Sequence, residues 1–280
     1  MWEPRGHADM YGGWIGPPTT AGGDLSVLFT HNAGFSTMCG HGVIALAKVV
    51  FDTGMIRGEP PESTLVIETP AGVVTAIATI RDDMVISTRF RNVPSFAVEL
   101  DATISIPELG EVRYDLAYGG AFYAYVDAPS LGLDLSDTGS LTSMGRLIKR
   151  AVSDQAGPSH PDHPDLGFLY GVIFTGPALL GNHSRNVCVF ANGEVDRSPT
   201  GTGVSGRLAI LDARGRLAES ETVTIESIVG STFSGRVSGH TTVGEHRAII
   251  PEIEGQAHLT GRSELWIDPA DPLGGGFLID

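Results

Sequence analysis

One local pattern occurs twice in this chain, and the repeat restricts the possible folds more than any other stretch. Asp196-Arg-Ser-Pro-Thr-Gly-Thr-Gly203 is a turn-rich run that leads directly into Val204-Ser-Gly-Arg-Leu-Ala-Ile-Leu211, which reads as helix. Met38-Cys-Gly-His-Gly42 leads in the same way into Val43-Ile-Ala-Leu-Ala-Lys-Val-Val50. Cys39, Gly40 and Gly42 align with Thr200, Gly201 and Gly203 at one offset, 161 residues (200 − 39). Two small loops that each open a helix present unpaired backbone N–H groups, as a site gripping one anion from two sides requires.

A second echo supports the first. Thr222-Val-Thr-Ile-Glu-Ser-Ile-Val-Gly230 repeats the pattern of Thr64-Leu-Val-Ile-Glu-Thr-Pro-Ala-Gly72 at an offset of 158 (222 − 64). Two unrelated matches at nearly one offset point to a duplicated α+β unit. Strands are expected at Leu25–Thr30, Thr64–Gly72, Val73–Ile80, Met84–Phe90, Tyr114–Gly120, Phe122–Val126, Gly171–Thr175 and Asn186–Phe190, where residues alternate or are β-branched. The first helix is expected to stop near Asp52-Thr-Gly54, and Leu141–Val152 reads as an amphipathic helix. Residues 1–20, dense in Gly and Pro, read as loop, and Leu265–Ile279 reads as a strand on each side of a turn.

With 280 residues, 41% of them apolar, the chain can bury a sizeable core, as one large domain or two lobes. The repeat favours two lobes. No apolar run approaches the roughly 18–20 residues that span a bilayer. A net charge of −15 argues against nucleic acid or an anionic membrane as a partner, since both are bound through Lys and Arg. Two cysteines are too few for a secreted disulfide framework, and no basic-then-apolar leader follows Met1, so the cytoplasm is the expected location.

Cys39 at a helix N-terminus meets the positive end of the backbone dipole, which favours thiolate, so it is either a candidate base or nucleophile or a buried structural cysteine, and the flanking glycines weigh against the second. The glycines around His41 let a ligand approach the backbone. Cys188, between valines in a strand, reads as core. His41 is two residues from Cys39, a spacing that does not bring the side chains face to face on a regular helix, so it either lines the site and donates to a substrate oxygen or is a solvated loop histidine. Asp196 either closes a turn with Arg197 or holds a substrate ammonium. An ammonium holder beside a carboxylate grip describes an α-amino acid site. His160-Pro-Asp-His163 looks like a metal pair, but its proline breaks the helical face and no third ligand is evident, so no metal is expected.

Met38-Cys-Gly-His-Gly42 together with Asp196-Arg-Ser-Pro-Thr-Gly-Thr-Gly203 resembles the cofactor-independent proline racemase family, which includes hydroxyproline 2-epimerases and trans-3-hydroxy-L-proline dehydratases. Glu3-Pro-Arg-Gly-His7, Asn92-Val-Pro-Ser-Phe96, Tyr118-Gly-Gly120, Asp271-Pro-Leu273 and Gly276-Phe277 extend the likeness along the whole chain. The resemblance implies an α+β fold like that of diaminopimelate epimerase, in which two pseudo-symmetric lobes, each a mostly antiparallel sheet around a central helix, flank an active-site cleft. The expected lobes are residues 1–108 with 263–280, and 109–262. Members usually carry a further strand-bearing segment ahead of Glu-Pro-Arg-Gly-His, so either Met1 is an internal start and the first lobe is truncated at its N-terminus, or that lobe is built without the strand.

Racemases and epimerases of the family have a second cysteine where this chain has Thr200. An alkyl hydroxyl is far too weak an acid to replace it. The Cys39/Thr200 pair is similar to that of the dehydratases, so the resemblance implies α-proton abstraction by Cys39 and syn loss of the 3-hydroxyl, with no cofactor. Proline racemase or hydroxyproline 2-epimerase activity and non-catalytic imino-acid binding are the alternatives. The resemblance also implies that backbone N–H groups at Gly40-His41 and Gly201-Thr202 hold the carboxylate, Asp196 the ring nitrogen, and Phe190 the ring face. Thr200 would bond substrate or water. The implied partner is a small imino acid, and a homodimer is compatible with the family.

Overall fold

Two helices of equal length anchor the two halves. Helix α1 spans Gly40–Asp52 and α3 spans Gly201–Ala213, so the 161-residue offset seen in sequence is kept in three dimensions. The structure is a computed structural model and describes residues 1–107, 109–218 and 220–278. Helix α1 buries Val43, Ile44, Leu46, Ala47, Val50 and Phe51, and Gly54 at φ 73° supplies the left-handed residue after its end. Helix α3 is enclosed on all sides, with Val204, Ser205, Leu208, Ala209, Ile210 and Leu211 buried. A third helix, α2 (Thr138–Ala156), extends beyond the expected 141–152 because Asp137 caps it and accepts from Ser140 N at 3.1 Å.

Each half builds the same strand pattern around its helix. In the first, β1 (Tyr11–Gly16) pairs antiparallel with β2 (Leu25–His31), short β3 (Gly34–Ser36) adds to β2, and β2 pairs parallel with β4 (Glu62–Thr69). In the second, β10 (Leu169–Gly176) pairs antiparallel with β11 (Ser184–Phe190), short β12 (Glu194–Val195) adds to β11, and β11 pairs parallel with β13 (Thr222–Glu226). The registers correspond: Ser26 faces Glu68, and Arg185 faces Glu226. The two glutamates also do the same work. Glu68 accepts from the backbone N–H and hydroxyl of Thr19 and Thr20, which hold its pKa down to about 2, and Glu226 accepts from Leu179 N, Leu180 N and Asn182 Nδ2. The repeated Glu is therefore a loop-closing acceptor rather than a site residue.

Antiparallel β5 (Gly72–Arg81) and β6 (Met84–Arg91) continue the first half, as β14 (Thr232–Val243) and β15 (His246–Gly255) continue the second, and β6 joins β15. The remaining strands, β7 (Ser95–Ile106), β8 (Gly110–Tyr118) and β9 (Phe122–Asp127), extend the sheet beyond β10, and β7 also touches β15. The result is an α+β fold of two pseudo-symmetric lobes, with α1 packed in one and α3 in the other.

Two expectations fail at the chain ends. Tyr11–Gly16 is a strand, not loop; as an edge strand it tolerates Gly12, Gly13 and Gly16, which conceal it in sequence. The run from Leu265 does not form two strands. Among the described residues it is irregular and mostly exposed, apart from one bridge in which Glu3 and Phe277 exchange N–H···O bonds at 3.0 Å; position 279, the end of the expected strand, lies outside the described residues.

Candidate active site

Helices α1 and α3 meet head to head. A Cβ built on Gly40 would lie 2.5 Å from Gly201 Cα, so only glycine permits this approach. Both helices thus direct their unpaired first-turn N–H groups and positive dipole ends at one place. The Tyr118-Gly-Gly120 turn braces the pair: Thr37 Oγ1 donates to Gly120 O at 2.6 Å, while Asn92 Nδ2 donates to Gly119 O at 2.8 Å and to Ser205 Oγ at 2.9 Å. On the α3 side, Tyr123 Oη lies 2.8 Å from Thr202 Oγ1 and Tyr125 Oη donates to Gly203 O at 2.7 Å.

Cys39 and Thr200 occupy the two N-cap positions. Cys39 is extended, and its sulfur accepts from Gly42 N at 3.3 Å. Thr200 has φ 64°, a region that a β-branched residue rarely enters and that costs about 1–3 kcal/mol. Its hydroxyl donates to Asp196 Oδ2 at 2.8 Å instead of capping its own helix.

Asp196 accepts once more, from Ser198 N through Oδ1 at 2.8 Å, and pairs as an ion with His41, whose Nδ1 lies 3.3 Å from Oδ2 and 3.2 Å from Ser198 Oγ. A carboxylate has about four lone-pair sites, so one stays open for a further donor. Burial opposes its ionisation, yet the His41 charge and the hydrogen bonds hold its pKa below the ordinary value. Arg197 does not close a turn on Asp196; it pairs with Asp9 at 3.0 Å. Burial likewise opposes charge on His41, but Cys39 and Asp196 outweigh it and raise the imidazole well above its ordinary value. Its closeness to Cys39 was not expected from a two-residue spacing. The extended backbone at Cys39 lies outside the helical geometry on which that expectation rested.

These residues enclose an inner chamber of about 20 Å³ lined by Cys39, Gly40, His41, Phe190, Asp196, Thr200, Gly201 and Thr202, so all eight candidate residues come together. Tyr11, His41, Phe190 and Asp196 also line a cleft of about 790 Å³ outside it. The chamber holds about one water molecule as it stands. Phe190 stacks on Tyr170 at 5.6 Å and 14° and meets Tyr11 edge-on.

Four lining residues escaped the sequence reading. Cys188, expected to be plain core, faces the chamber; burial and then Asp196 push its pKa up, so it stays a neutral thiol. Tyr11, Tyr123 and Tyr170 lie on strands remote in sequence and carry no local motif. His160 and His163 are elsewhere: His160 Nδ1 accepts from Asp162 N and His163 N, and its ring packs on Tyr118 at 4.7 Å.

The family model for proline racemase matches residues 1–278. This chain belongs to the proline racemase family. It is 43% identical over 282 residues to a trans-3-hydroxy-L-proline dehydratase of Burkholderia cenocepacia, covering 100% of this chain and 84% of that one. Identity to a 3-hydroxyproline 2-epimerase of Burkholderia multivorans is also 43%, with the same coverage. Among solved structures, a hydroxyproline epimerase from Agrobacterium vitis with bound trans-4-hydroxy-L-proline superposes with a TM-score of 0.95 at 36% identity, covering 100% of this chain and 81% of that one. No helix among the described residues is long and apolar enough to cross a membrane.

Proposed function

We propose that this member of the proline racemase family is a hydro-lyase that dehydrates trans-3-hydroxy-L-proline to Δ1-pyrroline-2-carboxylate. The observation that carries the reading is the thiol–hydroxyl pair at the two helix caps. Inversion at the α-carbon needs a proton acid opposite the base. The Thr200 hydroxyl is too weak an acid for that and is already committed as a donor to Asp196. The relatives named dehydratase add support, but a named epimerase is equally similar, so overall identity does not choose between the reactions. Residue 200 does.

In trans-3-hydroxy-L-proline the 3-hydroxyl and the α-hydrogen share one ring face. The Cys39 thiolate takes the α-proton, the electron pair forms the Cα–Cβ double bond as the Cβ–O bond breaks, and Cys39 returns the proton to the departing oxygen as water. The enamine then tautomerises to the cyclic imine. Charge flowing into the carboxylate is met by the N–H groups of Gly40, His41, Gly201 and Thr202, where one oriented donor is worth about 10²–10³ in rate. Asp196 offers its open lone pair to the ring nitrogen, Phe190 packs on the ring, and Thr200 fixes the Asp196 carboxylate. Because the elimination is syn, the trans isomer should release pyrroline product and cis-3-hydroxy-L-proline should not; equal turnover of both isomers would refute the single-face scheme.

A second reading, epimerisation, rests on Cys188 lining the chamber as another thiol. It requires Cys188→Ala to abolish turnover, whereas the dehydratase reading expects most of it to remain.

A further inference from the structure

Three hydroxyls form a row beside Cys39. Tyr11 Oη donates to Ser36 Oγ at 2.7 Å, and Ser36 Oγ lies 2.5 Å from Tyr170 Oη. The row is assembled from β1, β3 and β10, with Ser36 and Tyr170 separated by 134 residues in the chain. Tyr11 and Tyr170 line the inner chamber with Cys39. Burial raises both tyrosines well above the ordinary phenol value, with Cys39 adding to the effect, so both stay neutral. None of the steps proposed above uses these three groups.

We infer that Tyr11, Ser36 and Tyr170 seat the departing 3-hydroxyl, and that this row selects a 3-hydroxylated imino acid over the bare ring. The inference rests on the dehydratase reading. The row carries three O–H donors but only two internal links, so one O–H remains to meet a substrate oxygen. It lies on the Cys39 side of the chamber, the side on which syn elimination releases the oxygen. The proton that completes water comes from the α-carbon through Cys39; the row supplies hydrogen bonds alone, and no net proton leaves it. Seating matters energetically because an oxygen gaining negative charge in a buried chamber without donors is strongly disfavoured. Selection follows from the same groups. An apolar ring pocket distinguishes a hydroxyl poorly, whereas buried hydroxyls left without a partner reject the analogue that lacks one.

Tyr11→Phe and Ser36→Ala test the row, with two readings on each: the rate of pyrroline formation from trans-3-hydroxy-L-proline, and calorimetric affinity for pyrrole-2-carboxylate, which has no 3-hydroxyl. The expected result is a dehydration kcat about 10²- to 10³-fold lower in each variant, the effect of losing one oriented donor. Affinity for pyrrole-2-carboxylate should hold or rise, because a ligand without a 3-hydroxyl gains nothing from the row and loses an unpartnered hydroxyl in the variants. Wild-type rates in both variants would overturn the inference, and so would affinity falling in parallel with rate, which would make the row mere scaffolding. Wild-type protein that forms no pyrroline overturns the proposed function and this inference together, whereas contrary variant data on an active wild type overturn this inference alone.

Discussion

Gly40 and Gly201 meet backbone to backbone: a Cβ on either one would lie 2.5–2.6 Å from the Cα of the other. Neither backbone can yield without displacing its helix, and each helix carries one of the two capping residues of the site. Gly201→Ala should therefore wedge α1 from α3. Because misplacement by about 1 Å can cost about 10² in rate, turnover should fall at least that far, with a lowered Tm in a thermal melt. Wild-type turnover would show that the close approach has no functional role.

Cys39→Ser tests the base. A serine at the same cap keeps the shape but not the acidity, so elimination should fall by about 10³ or more. Calorimetric binding of pyrrole-2-carboxylate should survive. A variant that keeps its full rate removes Cys39 from the mechanism.

His41 and Asp196 give a pH signature. The folded pKa of His41 lies above its ordinary 6.5, so its contribution to stability is fully present below that value and is lost as pH rises through the raised pKa. The folded pKa of Asp196 lies below its ordinary 3.8, so its contribution is present above 3.8 and is lost as pH falls through the lowered pKa. The pair is jointly charged between those limits. Asp196→Asn should cost about 2–3 kcal/mol near pH 7 by chemical denaturation, toward the low end for a broken buried pair because His41 is partly exposed. The variant should also show a smaller decline in stability above pH 6.5, the part that remains coming from Cys39. An unchanged pH profile would mean that the two groups do not titrate as partners.

The repeat carried much of the fold in plain view. The glycine turns announced two helix N-termini, and the Thr64 and Thr222 runs announced the matching strands, because both depend on local residue chemistry. Less visible were features created by chain crossing. Cys188 has the neighbours of a core residue, and only the packing of β11 beside Asp196 and Thr200 turns it toward the chamber. Tyr11 sits among glycines, and Ser36 meets Tyr170 across 134 residues, a contact that no local pattern encodes. Strand β7 escaped notice because register shifts and Asp101, at φ 60°, interrupt its alternation. The terminal Trp and Leu run has strand composition but no strand beside it among the described residues.

Thr200→Cys would convert the hydroxyl cap into a thiol at a helix N-terminus, where the dipole favours thiolate. Exchange of the α-hydrogen of L-proline in deuterated solvent should rise at least about tenfold over wild type, the lower range of what a placed acid–base group contributes. No gain in exchange would argue that the two caps do not face one carbon.

The most direct measurement is a paired assay of the wild-type chain with trans-3-hydroxy-L-proline and with L-proline. The Cys39/Thr200 site predicts Δ1-pyrroline-2-carboxylate from the first and no D-proline from the second. D-proline accumulating from L-proline, with no pyrroline from trans-3-hydroxy-L-proline, would contradict it.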